Sequence, residues 1–303
     1  MQTKRNIFLW ILYDFANSIV SITFFLYFAQ WLVIDRGVSD LRFNLTFTIS
    51  AALLLFTAPL LGSMLDKSLR RIAGLRITTI LTALFYSLCT LAAIANKETI
   101  ALIFFAAGLY SYILSFTFYT PLLHDIAPPK KIGKISGWGI TANYLGQFAG
   151  LLIALPFSTG KFSLFNAAPR VETLIPAIAV FFVLSMPMLL FFKEPKRPIE
   201  RTNFKAKIKN TIIETKGLFN VPNVLFFLLA YFLFNDAILT AANNFPIFLE
   251  QIWHVSDTIK TYILLGVLIT SAIGGTAAGF IADKYGHKKT LKIILIGWVF
   301  LLP

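Results

Sequence analysis

The sequence predicts an all-α integral membrane protein that consists of a six-helix N-terminal bundle and an incomplete C-terminal bundle. Three observations support this prediction: the apolarity of the chain, eight apolar runs of membrane-spanning length, and an internal repeat. Of the 303 residues, 57% are hydrophobic and 14% are charged, and the mean hydropathy is +0.75. Soluble domains are roughly 45–50% apolar and about 25% charged, so a water-soluble fold cannot bury this much apolar surface.

Eight runs, numbered here as spans 1 to 8, are long enough to cross a bilayer as helices, which takes about 20 residues. They cover residues 7–34, 43–65, 75–95, 99–119, 136–157, 173–192, 223–249 and 258–282. A ninth run begins near residue 291 and reaches only Pro303, so we expect the second bundle to be truncated in span 9. The predicted organisation is a six-span bundle (1–192), a cytoplasmic basic connector (193–222) and an incomplete bundle (223–303).

The basic residues divide between two sets of loops. Of 27 Lys and Arg residues, 21 lie at the N-terminus and in every second loop after it, and six lie in the loops between. Basic loops stay in the cytoplasm. The sequence therefore predicts a multi-pass protein with a cytoplasmic N-terminus, in the plasma (inner) membrane. Because the net charge of +13 is spread over short loops, it does not indicate a nucleic-acid partner.

Residues that could support catalysis or metal binding are few. Cys89 is the single cysteine and lies in an apolar run, and the three histidines fall in separate loops. This pattern indicates neither a disulfide framework nor a metal cluster nor a catalytic triad, and no phosphate-binding loop is present in the sequence. We therefore expect no cofactor, no metal and no enzymatic activity.

An internal repeat relates the end of span 2 to the end of span 8. Five positions match at a constant offset of 217 residues, which predicts two parallel halves joined by the connector. The paired positions are Gly62, Asp66, Lys67, Arg70 and Arg71 in the first copy and Gly279, Asp283, Lys284, His287 and Lys288 in the second. Ordinary basic loops with incidental spacing are the alternative.

The repeated residues resemble the G-x-x-x-D-[RK]-x-G-[RK]-[RK] signature of the major facilitator superfamily. The sequence departs from it at Leu69, where the first copy usually has Gly, and at His287, which replaces a basic residue. The resemblance implies a major facilitator fold in which the matching positions other than His287 form a cytoplasmic gating motif. There the carboxylate can cap a helix N-terminus, and the basic residues can pair with acids of the partner half.

Two acids lie inside apolar spans, where an ionisable group normally faces a cavity or a partner. Asp14 and Asp236 each lead a polar stripe at helical spacing, on the first spans of the two predicted halves. We expect these stripes to line a solute pathway. The residues concerned are Asp14, Asn17, Ser18 and Ser21 in span 1, and Asn235, Asp236, Thr240 and Asn243 in span 7. A structural role near a span end is the alternative for each acid.

Span 5 carries amides and small residues on one face. Asn143, Gly146, Gln147 and Gly150 recur at helical spacing. Small residues let helices approach closely, and amides can form interhelical hydrogen bonds, so the face is either a packing surface or a cavity wall. Both interpretations stay open, and Asn143 and Gln147 are included among the predicted pathway residues.

Three stretches resemble the "unknown major facilitator" family, which includes the autophagy-related vacuole effluxers. They read YDFANS at 13–18, SGWG at 136–139 continuing to NYLG at 143–146, and YFLFND at 231–236. Phe15 replaces the usual Trp, and Ala237 replaces the usual Gly. The resemblance implies a secondary active transporter with alternating access, and its fungal members are associated with amino-acid release from the vacuole.

The leading hypothesis is transport of a small solute, with amino acids as the first class to consider and a proton as a coupling ion. The alternative is a transporter-like receptor or scaffold without transport activity. In that case the connector, either a helix on the inner membrane surface or a solvated linker, would engage anionic membrane lipids or a partner.

Overall fold

A computed structural model describes residues 2–65, 70–128, 131–195, 213, 217 and 221–301 of the chain. Every regular element in these ranges is helical, which confirms the predicted all-α class. Eight helical stretches are long and apolar enough to cross a membrane, the number predicted from the sequence. They are Lys4–Asp35, Asp40–Ala58, Arg71–Ile94, Glu98–Ile126, Ile135–Ser158, Pro169–Phe191, Pro222–Trp253 and Asp257–Gly274.

Eleven α-helices lie within the described residues. They are α1 (Gln2–Thr23), α2 (Asp40–Leu65), α3 (Arg71–Ile94), α4 (Glu98–Tyr119), α5 (Leu122–Ile126), α6 (Ile132–Ser158), α7 (Pro169–Glu172), α8 (Leu174–Phe191), α9 (Pro222–Trp253), α10 (Asp257–Tyr285) and α11 (His287–Leu301). Span 1 continues beyond α1 through two π-helical segments, Phe24–Phe28 and Trp31–Asp35, a geometry that is rare and often occurs at functional positions.

Close packing of α1 against α6 organises the first half. A Cβ atom built at Gly146 would lie 2.3 Å from the backbone oxygen of Phe15, and one at Gly150 would lie 2.9 Å from that of Ile19. Only glycine permits this approach of two helix backbones. The two glycines of the span 5 face therefore serve packing, one of the two roles left open by the sequence.

An aromatic core fills the first half. The ring of Phe24 stacks on Tyr86 with centroids 4.0 Å apart and lies 6.2 Å from Phe105. All three side chains are fully buried. Such rings contribute large buried areas together with a preferred geometry.

The N-terminus of α3 is capped by an acid from the end of span 6. The Glu194 carboxylate accepts hydrogen bonds from the backbone N–H groups of Arg71 and Ile72, each at 3.1 Å. The capping carboxylate predicted for this region was Asp66, which lies outside the described residues. Glu194 thus ties the last helix of the first half to the start of α3.

Replacing the capping acid should destabilise the first half. We expect Glu194→Ala to lower the free energy of unfolding by about 0.5–2 kcal/mol, because two N–H groups lose their acceptor. An unfolding titration in mixed detergent micelles measures this loss. Lys193→Ala is the matched control, since only backbone atoms of Lys193 bond to Asn6. Equal stability of the two variants would contradict the capping role.

The second half consists of α9, α10 and α11 in the described chain. Gly286 separates α10 from α11 with a φ of +90°, a conformation that a side chain rarely adopts. Gly286 occupies the second glycine position of the superfamily signature, where the first copy has Leu69. Most of the predicted connector, 193–222, lies outside the described residues.

Candidate functional site

A cavity of about 310 Å³ lies beside Asp14, between α1, α4 and α6. Its wall includes Trp10 and Asp14 from α1, Tyr119 from α4, and Asn143 and Tyr144 from α6. Because four spans precede α6, this helix begins on the side of the membrane where the chain begins. The cavity contacts the early part of α6 and therefore lies nearer that side. We call this side the N-terminal end and the other side the opposite end.

The Asp14 carboxylate has a polar but uncharged neighbour. The Asn143 side chain lines the same cavity, and the Gln147 amide donates to Asn143 Oδ1 at 2.7 Å. Within the described part of the chain, no lysine or arginine is paired with Asp14. The cavity therefore presents one acid that has no cationic partner among the described residues.

Two aromatic rings are held rigidly in the same wall. Trp10 and Tyr119 stack with centroids 4.8 Å apart and an interplanar angle of 4°. Their polar atoms bond reciprocally, with Trp10 Nε1 donating to the Tyr119 carbonyl at 3.3 Å and the Tyr119 hydroxyl donating to the Trp10 carbonyl at 2.9 Å. The rings are thus fixed in orientation before any ligand binds.

A larger cavity of about 820 Å³ adjoins the first and separates α6 from α10. The two cavities share Ile140 and Tyr144 as lining residues. The α10 wall of the larger cavity consists of Leu268, Ile269 and Ala272. The two cavities are thus neighbours along α6, with Asp14 lining one and an apolar α10 wall lining the other.

Towards the opposite end, α6 and α10 come into contact. Leu151 and Ala154 of α6 belong to one buried cluster with Leu265 of α10. The hydroxyls of Tyr27 and Thr261 are hydrogen-bonded at 2.8 Å, which joins span 1 to α10. Likewise, Asn44 Nδ2 donates to Asn244 Oδ1 at 3.1 Å, which joins α2 to α9. The halves are therefore in contact here and separated nearer the N-terminal end.

An ion-pair network, the Arg170 cluster, joins the halves at the opposite end. Arg170 has three carboxylate partners: Nη1 donates to Asp35 at 2.7 Å, Nη2 to Glu250 at 2.6 Å and Nε to Asp257 at 2.9 Å. Lys260, which is 1% exposed, pairs with the same Glu250 and Asp257. The five residues come from spans 1, 6, 7 and 8.

Among the described residues, charge-assisted hydrogen bonds link the two halves only at the opposite end, through the Arg170 cluster. Bidentate Arg–carboxylate pairs are roughly twice as strong as neutral hydrogen bonds, and burial limits their screening by solvent. Three carboxylates face two cations, and Gln30 supplies a neutral acceptor to Lys260. The arrangement closes one end and leaves a cavity towards the other.

The family model of the Major Facilitator Superfamily matches residues 9–302. The chain belongs to this superfamily. Two curated relatives are an uncharacterized protein of Aquifex aeolicus (strain VF5), 24% identical over 88% of this chain, and the "multi-drug resistance efflux pump PmrA homolog" of Lactococcus lactis subsp. lactis (strain IL1403), 26% identical over 98%. The chain covers 62% of the first and 70% of the second.

A solved major facilitator structure has a similar fold. It is a bacterial homolog of the human lysosomal transporter Spinster in an inward-facing and unoccupied conformation, with a TM-score of 0.68 and 14% sequence identity. The similarity covers 95% of this chain and 64% of that one. The chain thus spans less than two thirds of this structure's length. The fold likeness confirms the predicted major facilitator architecture.

Within this major facilitator chain, the predicted span 1 stripe divides. Asp14 lines the cavity, whereas Asn17, Ser18 and Ser21 are buried at 1–7% exposure in the packed first half. The hydroxyls of Ser18 and Ser21 donate to backbone carbonyls of their own helix. The structure brings Asn143 into the Asp14 cavity, with Gln147 bonded to Asn143, but keeps the rest of the span 1 stripe in the helix interface.

The predicted span 7 stripe lies apart from Asp14. Asp236 and Thr240 are exposed on α9, and Asn235 and Asn243 are partly buried there. None of these four side chains lines either cavity described above. Their proposed place in a pathway stays a prediction.

The predicted gating motif is only partly described. Asp66 and Lys67 lie outside the described residues, as do the side-chain environments of Gly62, Gly279 and Asp283. Arg70, Lys284 and Lys288 are exposed. Arg71 is buried and donates to Asp125 at 3.0 Å and to the Pro121 carbonyl at 3.0 Å, so it pairs within the first half.

The Arg170 cluster was not predicted from the sequence. Arg170 and Lys260 were counted only as basic residues of the less basic loops, and their acids lie near span ends where charges are common. The sequence did contain an indication of this cluster. Acidic residues at 250 and 257 flank the short turn between spans 7 and 8, and a basic residue follows at 260. Their convergence on Arg170 depends on how the halves meet.

Proposed function

We propose that this protein is a secondary active transporter that moves a small solute by alternating access. The observation that carries the proposal is the asymmetry of the interface between the halves. Charged and polar contacts join them at one end, and an 820 Å³ cavity separates α6 from α10 nearer the other. A transporter needs such a cavity to open alternately to each side of the membrane, with the halves rocking about the site between them.

Asp14 is the proposed coupling residue. Its carboxylate lies in the cavity beside the neutral Asn143 side chain, and the other titratable groups in that wall are Tyr119 and Tyr144. An acid in such a place can exchange a proton or a cationic group when the cavity changes its exposure. A proton is therefore the proposed coupling ion, and Asp236 is a second candidate from the sequence.

The finer details of the function are also proposals. The resemblance of 13–18, 136–146 and 231–236 to the "unknown major facilitator" family makes amino acids the first panel of solutes to test. The distribution of basic loops supports a cytoplasmic N-terminus in the plasma membrane. With that orientation the cavity faces the cytoplasm and the Arg170 cluster faces outward.

Removing the Asp14 charge should weaken or uncouple transport. In proteoliposomes with an imposed proton gradient, we expect Asp14→Asn to lower flux by about 10-fold to 100-fold and to flatten its pH dependence, because the coupling between two bound ligands is typically about 5-fold to 150-fold. A panel of labelled amino acids provides the measurement. Asp236→Asn is tested in the same assay.

Asp40→Asn is the matched control, since Asp40 is exposed at the start of α2 and lines neither cavity described here. It should transport as the unaltered protein does. Flux and pH dependence that are unchanged in both Asp14→Asn and Asp236→Asn would contradict the coupling role of these acids.

A further inference from the structure

We propose that the two neighbouring cavities together bind an amphipathic organic cation, with its charged group at Asp14 and its apolar body against α10. This inference deepens the proposed function by naming the solute class. It rests on the charge, aromatic content and shape of the space between α1, α6 and α10.

The charge of the site selects a cation. The neutral Asn143 amide lines the same cavity as Asp14, and within the described residues no Lys or Arg pairs with this acid. An anion entering the cavity would meet an unneutralised carboxylate in a region of low dielectric, where like charges repel strongly. A cation would supply the missing partner.

The aromatic wall favours an organic cation over a metal ion. Trp10, Tyr119 and Tyr144 line the same cavity as Asp14, and the first two are locked by their stacking and reciprocal hydrogen bonds. Ring faces attract ammonium-type and delocalised cations through the negative charge of their π-faces. A small metal ion requires several oxygen ligands instead, and among the described residues no group of three or more His, Cys, Asp or Glu could hold one.

The volume and apolar lining of the adjoining cavity indicate the size and polarity of the uncharged part of the ligand. Its volume is about 820 Å³, and Phe148, Leu268 and Ile269 are among its lining residues. A free metal ion or a small ammonium would leave this apolar surface without a partner. A ligand with a bulky hydrophobic body would bury it, and removing apolar area from water favours binding.

Tetraphenylphosphonium and tetraphenylborate provide a direct test, since they share one shape and carry opposite charges. Equilibrium binding of each labelled ion is measured on the full chain purified in detergent. We expect tetraphenylphosphonium to bind and tetraphenylborate to bind at least about 10-fold more weakly. Asp14→Asn should weaken tetraphenylphosphonium binding by about 10-fold, while Asp40→Asn leaves it unchanged.

A second variant tests the apolar wall independently of the acid. Leu268→Gln should weaken tetraphenylphosphonium binding by about threefold or more, because part of the buried contact becomes polar. The matched control is Leu239→Gln, at an exposed position of α9 outside both cavities. Equal binding of the two ions, or unaltered tetraphenylphosphonium affinity in both Asp14→Asn and Leu268→Gln, would overturn the proposal.

The binding assay separates this inference from the proposed function. Cation binding through Asp14 without flux of any solute in proteoliposomes would support the site and contradict transport. Asp14-dependent flux of amino acids with no binding of tetraphenylphosphonium would support transport and contradict the solute class.

Discussion

Arg170→Ala is expected to lower the free energy of unfolding by about 3–5 kcal/mol, because removing one partner of a buried ion-pair network leaves its acids uncompensated. Arg170 is 9% exposed and bonds to Asp35, Glu250 and Asp257 at 2.6–2.9 Å. Without it, three carboxylates would face only Lys260. Unfolding titrations in mixed detergent micelles measure the loss.

A matched variant separates burial from simple charge loss. Arg36 pairs with Glu98 at the same end of the bundle, but their side chains are 35% and 30% exposed. Exposed pairs contribute about 0–1 kcal/mol, so Arg36→Ala should have a small effect. Arg170→Lys should lie between the unaltered protein and Arg170→Ala, since lysine keeps the charge but cannot reproduce the planar fork.

The same substitution should also loosen the contact between the halves. Thr261 is fully buried and hydrogen-bonds to Tyr27 across the interface. We expect maleimide labelling of a Thr261→Cys variant to accelerate when Arg170→Ala is added. The natural Cys89 is buried and contributes little background. Unaltered stability together with unaltered labelling would show that the Arg170 cluster does not hold this end closed.

Enlarging Gly146 is expected to disrupt the first half more severely than the same change at the other α6 glycines whose surroundings are described. The added Cβ would lie 2.3 Å from the Phe15 carbonyl oxygen and 2.9 Å from Ser18 Cβ. Because the obstacle includes helix backbone, α1 and α6 must separate. Overpacking costs about 1–3 kcal/mol for Gly146→Ala, and Gly146→Leu should fail to fold.

Gly137 on the same helix is the internal control, because no atom lies within 4 Å of a Cβ built there. Gly137→Ala should be neutral or stabilising by up to about 1 kcal/mol, since alanine is the better helix former. Thermal unfolding of both purified variants in detergent gives the comparison. A Gly146→Ala protein as stable as Gly137→Ala would contradict the close approach of α1 and α6.

The spans could be predicted from the sequence because lipid imposes a length and a polarity on each segment separately. A helix crossing the hydrocarbon core must satisfy its backbone internally and present apolar side chains, so about 20 apolar residues identify it without knowledge of its neighbours. The repeat at 62–71 and 279–288 added the two-half organisation. The position of Asp14 beside a cavity was predictable for the same reason, since an acid inside an apolar run needs a cavity or a partner.

Helical spacing alone could not assign roles within one face of span 5. Asn143 and Gly146 lie on the same side, yet Asn143 lines the cavity while Gly146 contacts the α1 backbone. Position along the helix decides between these roles, because α6 lies against α1 and diverges from α10. Sequence periodicity reports direction around a helix axis and carries no information on where a neighbour begins or ends.

The sequence by itself determined the fold class, the number of spans and the presence of an acid within span 1. Only the tertiary structure decided that Asp14 and Asn143 share a cavity, that Glu194 caps α3, and that Arg170 joins acids from three other spans. The partners of Arg170 lie 80 to 135 residues away. Such pairings depend on how whole helices pack, and local composition does not encode that packing.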